Sequence, residues 1–209
     1  MRVRVYIDGF NFYYRRLKHS KTKWTNLKLL SEELLEETDV VEGIKYFTAD
    51  VSPRAGDPEA PVRQQVYFRA LKTIPELEII KGKFLPKEIQ RPLVAEPDKY
   101  VLVKDTEEKG SDVNLASHLL MDAFSDTFDV ALIFSQDTDL LTPLRMLKEE
   151  IGKDIILAWF EDPQPSKKHR QVASAVRYIS DSMLRRSQFP NPVIGRGGTK
   201  LFMPDSWNS

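Results

Sequence analysis

Two runs constrain this chain more than any other feature. Val130–Phe134 (VALIF) and Ile155–Phe160 (IILAWF) are apolar at every position, not at alternate ones. A strand with two apolar faces must be covered on both, as happens in parallel sheets flanked by helices and not in antiparallel sheets with one wet face. Further strand-like segments at Arg2–Ile7, Ile44–Thr48 and Leu77–Ile80 alternate with helical stretches. The spacing therefore predicts an α/β fold around a central parallel sheet, with the two continuous runs near its middle.

The helices between the strands are marked by their caps and periods. Leu27, Leu30 and Leu34 recur at helical spacing within Asn26–Glu37. Asp57 as N-cap and Pro58 at the first position open a helix running to Lys72. Leu140, Leu144, Leu147 and Ile151 line one face of another, which Gly152 closes. Lys81–Lys109 has no helical period, holds Pro86, Pro92 and Pro97, and reads as an extended insertion of about residues 81–109. One domain is expected over 1–186. It is followed by a tail, 187–209, rich in Pro, Gly, Asn and Ser, that is either mobile or laid over the surface; Phe189, Phe202 and Trp207 favour docking.

Composition narrows the function classes. With 41% hydrophobic and 30% charged residues in 209, the chain has the profile of a soluble globular domain. Lys+Arg 31 balance Asp+Glu 31, so no global basic field exists and any nucleic acid must be held by local patches. Cysteine is absent, which excludes disulfides, thiolate catalysis and Cys-ligated metal sites. The longest apolar run, Ile155–Phe160, is far short of the roughly 20 residues that span a bilayer. Met1–Asp8 reads as a strand and not as a secretory leader. A cytoplasmic location and no membrane partner are the expectations.

Three acidic positions carry the chemistry. Asp8 ends the first predicted strand, and in open α/β sheets ligands bind at that end. Asp112, in KGSDVNLASHLLMDAF, falls within about 80° of Leu115, Ala116, Leu119, Leu120 and Ala123 on a helical wheel, at the centre of the face that packs on the sheet. Asp137 and Asp139 leave the VALIF strand in SQDTDL. Each acid alone also reads as a helix cap or turn former. Right-handed crossovers in a parallel sheet would bring all of them to one edge, where like charges need a cation between them. An all-oxygen donor set favours Mg²⁺ or Mn²⁺ over zinc, and so phosphodiester chemistry. His118 and Asp122 lie one turn apart on the flank of the same helix.

The ordered set IDGFNFYY, KGSDVNLASHLL and ALIFSQDTDLLTPL resembles the NYN domain family of the PIN-like nuclease fold. YFTADVSP, the pair Arg63 and Gln64 followed by Tyr67, and KGKF at Lys81 are similar to its bacterial members, so the resemblance covers about residues 1–184. It implies a three-layer α/β/α, Rossmannoid domain and a metal-dependent ribonuclease site in which Asp8, Asp112 and Asp137 hold the metal, with Asp139 beside them. Asn11 takes the polar position after the first acid, and Ser135 and Thr138 support the late carboxylates and the substrate. Many members carry a further acid where this chain has His118, which leaves the metal count open. Asp122 would compensate only if it reached the cleft.

The leading expectation is a Mg²⁺- or Mn²⁺-dependent ribonuclease. RNA would be guided by Arg15, Arg16, Arg63, Lys109 and the cluster Lys167, Lys168, His169 and Arg170, with Tyr13, Tyr14 and Tyr67 available for stacking. Arg63 and Tyr67, one helical turn apart, form the first candidate substrate pair. Solvated charge and aromatic core are the alternative readings of these residues. A second expectation is an RNA-binding or regulatory module that keeps the cleft without cleaving, paired with a protein partner or as a homodimer. A phosphatase or nucleotide-binding protein is disfavoured, because DGFN lacks a second Asp and no GxxxxGK[ST] or GxGxxG occurs.

Overall fold

The structure is a computed structural model that describes residues 1–160 and 164–208, without the side chains of residue 86 and residues 104–107. In chain order it comprises β1 (Arg2–Asp8), α1 (Gly9–Phe12, continuing as a π turn over Tyr13–Leu17), α2 (Leu27–Glu32), β2 (Val40–Thr48), α3 (Ala60–Leu71), β3 (Leu77–Lys81), β4 (Lys83–Pro92) and β5 (Tyr100–Lys109). There follow α4 (Ser111–Phe124), β6 (Val130–Phe134), α5 (Leu141–Met146, entered by a 3-10 turn over Thr138–Leu140 and leaving as a π turn over Leu147–Ile151) and β7 (Asp154–Trp159). The chain closes with α6 (Lys167–Val172), β8 (Ala175–Tyr178), α7 (Asp181–Arg186), β9 (Val193–Ile194) and β10 (Lys200–Leu201).

Six strands form one sheet in the order β3-β2-β1-β6-β7-β8, every neighbour parallel. Alternation along each strand divides the core into two layers. Val3, Val5 and Ile7 of β1, with Val130, Leu132 and Phe134 of β6, face the layer containing Leu27, Leu30, Phe68, Leu71 and Leu184. Tyr6, Ala131, Ile133 and Leu157 face Leu115, Leu119, Leu144, Leu147 and Val172. Helices thus cover both faces, and β6 is buried at all five positions, as its unbroken apolar sequence demands.

Local boundaries differ from the sequence expectation where side chains found other partners. The helix expected over Asn26–Glu37 stops at Glu32; Asn26 does cap it, its Oδ1 accepting from the N–H groups of Lys28 and Leu29 at 3.0 and 3.2 Å. The helix expected from Pro58 begins at Ala60, because Asp57 is turned to Arg63 instead of capping. β8 was not foreseen. It is a four-residue, half-exposed edge strand with no apolar run to betray it. The extended insertion is an antiparallel hairpin, β4 against β5, paired from Lys83↔Lys109 to Pro92↔Tyr100. The tail lies on the domain: Phe189, Val193, Leu201 and Trp207 are buried in the first core layer.

Candidate active site

The strand order reverses between β2 and β6 on either side of β1, and a crevice opens at such a switch point beyond the carboxyl ends of the strands. β1 delivers Asp8 there and β6 delivers Ser135–Asp137. Asp8 is buried, with 6% of its surface exposed, and caps α1 by accepting the Asn11 backbone N–H at 3.0 Å. Ser135 Oγ donates to Asp8 Oδ2 at 3.1 Å and accepts the Asp137 backbone N–H at 3.1 Å. Asn11 closes the other side, its Oδ1 accepting the Gln136 backbone N–H at 3.2 Å. Asp137 caps the turn into α5 by accepting the Asp139 N–H at 2.9 Å. The capping and site readings of Asp8 and Asp137 are therefore not exclusive: the cap fixes the carboxylate at the crevice.

α4 brings the third acid, but not in the way the wheel suggested. The buried stripe is Ser111, Leu115, Leu119 and Ala123, and Asp112 is exposed. Asp112 nevertheless lies close enough to the crevice for its charge to be felt at Asp8. Glu108, which sequence reasoning missed, ties this helix end down by accepting from Ser111 N–H at 3.2 Å and Ser111 Oγ at 2.8 Å. Its signal was present as an acid three residues ahead of the helix-starting serine.

The carboxylates feel one another. Burial pushes the Asp8 carboxyl up to about 6, with Asp112 and Asp137 adding to the rise and the hydrogen bonds from Asn11 and Ser135 opposing it. Asp112 is raised by desolvation and then by the charges of Asp137, Glu108 and Asp139. The set is all oxygen, the donor chemistry of Mg²⁺ or Mn²⁺. Among the described residues no three His, Cys, Asp or Glu side chains converge to clasp an ion by themselves. Mg²⁺ is usually held through one or two carboxylates, with water and substrate phosphate completing its shell. Asp8, Asp112 and Asp137 are the crevice carboxylates from which such ligands would be drawn.

Other expected site residues are placed elsewhere. Asp122 does not reach the crevice. Its Oδ2 accepts from Lys45 Nζ at 2.6 Å and from the Tyr6 hydroxyl at 2.8 Å, and its Oδ1 pairs with Arg4 at 3.3 Å. His118 belongs to the same network, its Nδ1 lying 3.1 Å from Lys45 Nζ and its ring against Phe47. Both residues are thus engaged around Lys45, and Asp122 does not join the crevice acids. Tyr67, expected to contact substrate, is buried: it packs on Trp24 and Trp207, and its hydroxyl donates to the Thr25 carbonyl at 2.8 Å. Arg63 pairs with Asp57 and Arg16 with Asp181. Thr138 is exposed in the turn before α5, and Lys109 ends β5 two residues before α4. In the basic cluster Lys167, Lys168 and Arg170 are exposed, whereas His169 is buried against Trp159, its Nδ1 2.8 Å from Ser166 Oγ, and burial lowers its pKa. Tyr14 is exposed and Tyr13 half-buried, on the turn after α1.

Residues 2–182 match the model of the NYN domain. The chain belongs to the NYN domain family. This is a PIN-like nuclease family, and the match takes in every strand of the sheet and all three crevice acids. A 6-hydroxy-3-succinoylpyridine 3-monooxygenase of Pseudomonas putida is 28% identical over 99% of this chain and 75% of its own length. A crystal structure of a protein of unknown function from Vibrio parahaemolyticus shares the fold of this NYN domain, with a TM-score of 0.56 and 16% identity over 86% of this chain and 93% of that one. No helix among the described residues is long and apolar enough to cross a membrane.

Proposed function

We propose that this NYN domain is a ribonuclease that hydrolyses RNA phosphodiester bonds with Mg²⁺ or Mn²⁺ held at Asp8, Asp112 and Asp137. The observation that carries the reading is a buried Asp8 whose carboxyl is pushed up to about 6 at the switch point of the sheet, beside two further acids. A buried carboxyl held this high is costly to ionise even with its two hydrogen bonds, and a divalent cation would offset that cost. When bound, such an ion lowers the pKa of a coordinated water and offsets charge on phosphoryl oxygens.

The protein's own groups do the positioning. Ser135 holds the Asp8 carboxylate in one orientation through its hydroxyl, and the Asn11 backbone N–H holds the other oxygen. Asn11 Oδ1 fixes the turn that presents Asp137. Glu108 anchors the end of α4 that carries Asp112. Asp139 adds negative charge at the rim, raising the Asp112 carboxyl. Arg63, Lys109 and Thr138 are the substrate contacts proposed at the margins of the site, in a cytoplasmic enzyme.

The test is cleavage of end-labelled single-stranded and structured RNA with Mn²⁺, Mg²⁺ or EDTA, comparing wild type with folded Asp8→Asn and Asp137→Asn variants. Metal-dependent cleavage lost in both variants is expected, and cleavage retained in Asp8→Asn would overturn the site. A second reading, an RNA-binding module that does not cleave, is favoured by His118, which is engaged with Lys45 at the position where the family resemblance implies a further acid. Tight RNA binding without turnover under every metal would select it.

A further inference from the structure

Beside the acidic edge lies a cavity of about 290 Å³ lined by none of its carboxylates. It opens between the turn after α1, the end of β2 and the start of α3. Its walls are rings, among them Tyr13, Tyr46, Tyr67 and Trp207. Tyr46 is the partition on the side of the acids: a Cβ on Gly9 would stand 2.6 Å from its Cζ, so only glycine lets the phenol lie against the backbone that follows Asp8. The Asp8 charge is felt at that phenol, whose pKa is raised chiefly by burial and then by Asp8.

The polar part of the lining is lopsided. Lys18, Lys23, Arg54 and Arg63 face it with Asp57 as the single carboxylate. Asp57 is already paired with Arg63. Lys23, whose ammonium donates to the Ser20 carbonyl, is held below its usual range by burial and by the positive charge of Arg63. Two cations that raise each other's energy, over an aromatic floor, make a place for an anion with a flat body. The volume, at the low end for small-molecule sites, limits that body to one or two rings.

We propose that this cavity binds a planar aromatic ring carrying an anionic group, supplied by a nucleotide of an RNA strand. The ring lies among Tyr13, Tyr46 and Trp207, and its phosphate meets Lys23 and Arg63. The neighbouring phosphate of the strand then falls on the Asp8 side of Tyr46. The RNA source rests on the nuclease reading; the ring-and-anion chemistry does not. A free aromatic carboxylate has the same chemistry, and the measurement separates the two sources.

The experiment titrates the full chain in EDTA with adenosine and uridine 5′-monophosphates, with the parent nucleosides, and with benzoate and pyridine-3-carboxylate, reading tryptophan emission, with Trp207→Phe to assign the signal. Saturable quenching by the monophosphates is expected. Nucleosides with the wild type, and the monophosphates with the Lys23→Met variant, should bind about tenfold more weakly, the loss of one charge-assisted contact. Ala60→Phe, which fills the cavity from the first turn of α3, should abolish the signal while circular dichroism stays native. No saturable quenching by any compound, or equal affinity for nucleoside and nucleotide, would overturn the proposal. Binding of the carboxylates without the nucleotides would overturn the RNA source alone. Because EDTA silences the metal site, nucleotide binding with no cleavage in the separate nuclease assay would sink the nuclease reading and leave this site standing.

Discussion

The hydroxyl of Ser135 donates to Asp8 Oδ2 at 3.1 Å, joining the carboxyl end of β6 to that of β1. Because the same oxygen accepts the Asp137 backbone N–H at 3.1 Å, one side chain sets the spacing of two crevice acids. This bond opposes the rise of the Asp8 pKa, since it favours the ionised form. Ser135→Ala should therefore raise the Asp8 titration further above about 6, and cost about 1 kcal/mol of stability as a lost buried hydrogen bond. Carboxyl ¹³C shifts in metal-free protein read the first and urea unfolding the second. An unmoved Asp8 titration would mean that Ser135 does not control it.

Asp8 itself makes the fold pH-dependent. Its carboxyl ordinarily titrates near 3.8 and in the fold near 6, so the folded state binds the proton more tightly. The stabilisation is complete below 3.8 and is lost as pH rises through about 6. A difference of about 2 units corresponds to roughly 3 kcal/mol, undiscounted for solvent because the group is buried. Asp8→Asn should accordingly be more stable than wild type at pH 8 in EDTA, by up to roughly 3 kcal/mol, with the gap closing near pH 4. Unfolding curves at the two pH values check it. A variant no more stable at pH 8 than at pH 4, relative to wild type, would contradict a buried, raised Asp8.

Asp122 should behave in the opposite sense. Arg4, Lys45 and the Tyr6 hydroxyl all converge on it in a part-buried network, and it is held below the usual carboxylate range despite desolvation. Its contribution is present above the unfolded carboxylate pKa and lost as pH falls through the lower folded one. Asp122→Ala leaves Arg4 and Lys45 unpaired, and a cost of about 3 kcal/mol at neutral pH is expected. Divalent-metal affinity, measured calorimetrically, should stay within about twofold of wild type, since the side chain lies away from the crevice. A collapse of metal affinity with stability intact would make Asp122 a ligand after all.

Legibility in the sequence followed the range of the interactions involved. β6 could be read because its unbroken apolar run answers to burial on both faces, and Asp8 and Asp137 because a carboxylate at the end of a central parallel strand has few other places to go. Asp112 was identified for a reason that did not hold. The wheel put it at the centre of a packing face, yet Ser111 occupies the buried stripe and Asp112 is exposed, its charge felt at Asp8. A helical projection carries no information about where along its axis the sheet stops. Tyr67 and Arg63 could be read as a pair because periodicity puts them on one helix face, and both line the cavity; the Trp24 and Trp207 rings that pack on Tyr67, remote in the chain, could not. The cavity was invisible for the same reason, being assembled from α1, β2, α3 and the tail.

The tail is the last case where distant parts of the chain decide the outcome. Trp207 keeps 9% of its surface exposed and stacks its ring edge near Trp24 and Tyr67, with centroids at 6.2 and 5.8 Å. Upstream, the Trp24 indole N–H donates to the Pro190 carbonyl at 3.2 Å and the Asn26 N–H to the Ser187 carbonyl at 2.7 Å, so the segment before α2 is tied to the tail by backbone as well as by rings. Trp207→Ala should cost about 3–5 kcal/mol, the range for emptying a large core position. Trp207→Phe should cost distinctly less, because the aromatic wall is kept. A chain ended at Arg186 loses Phe189, Val193, Leu201 and Trp207 from the first core layer together, although it retains the whole matched family segment. We expect it to lose cooperative unfolding, read by urea titration with tryptophan emission and circular dichroism in parallel. A truncated chain that unfolds cooperatively at the wild-type midpoint would show that the domain is complete without its tail and that the Trp24 cluster is dispensable packing.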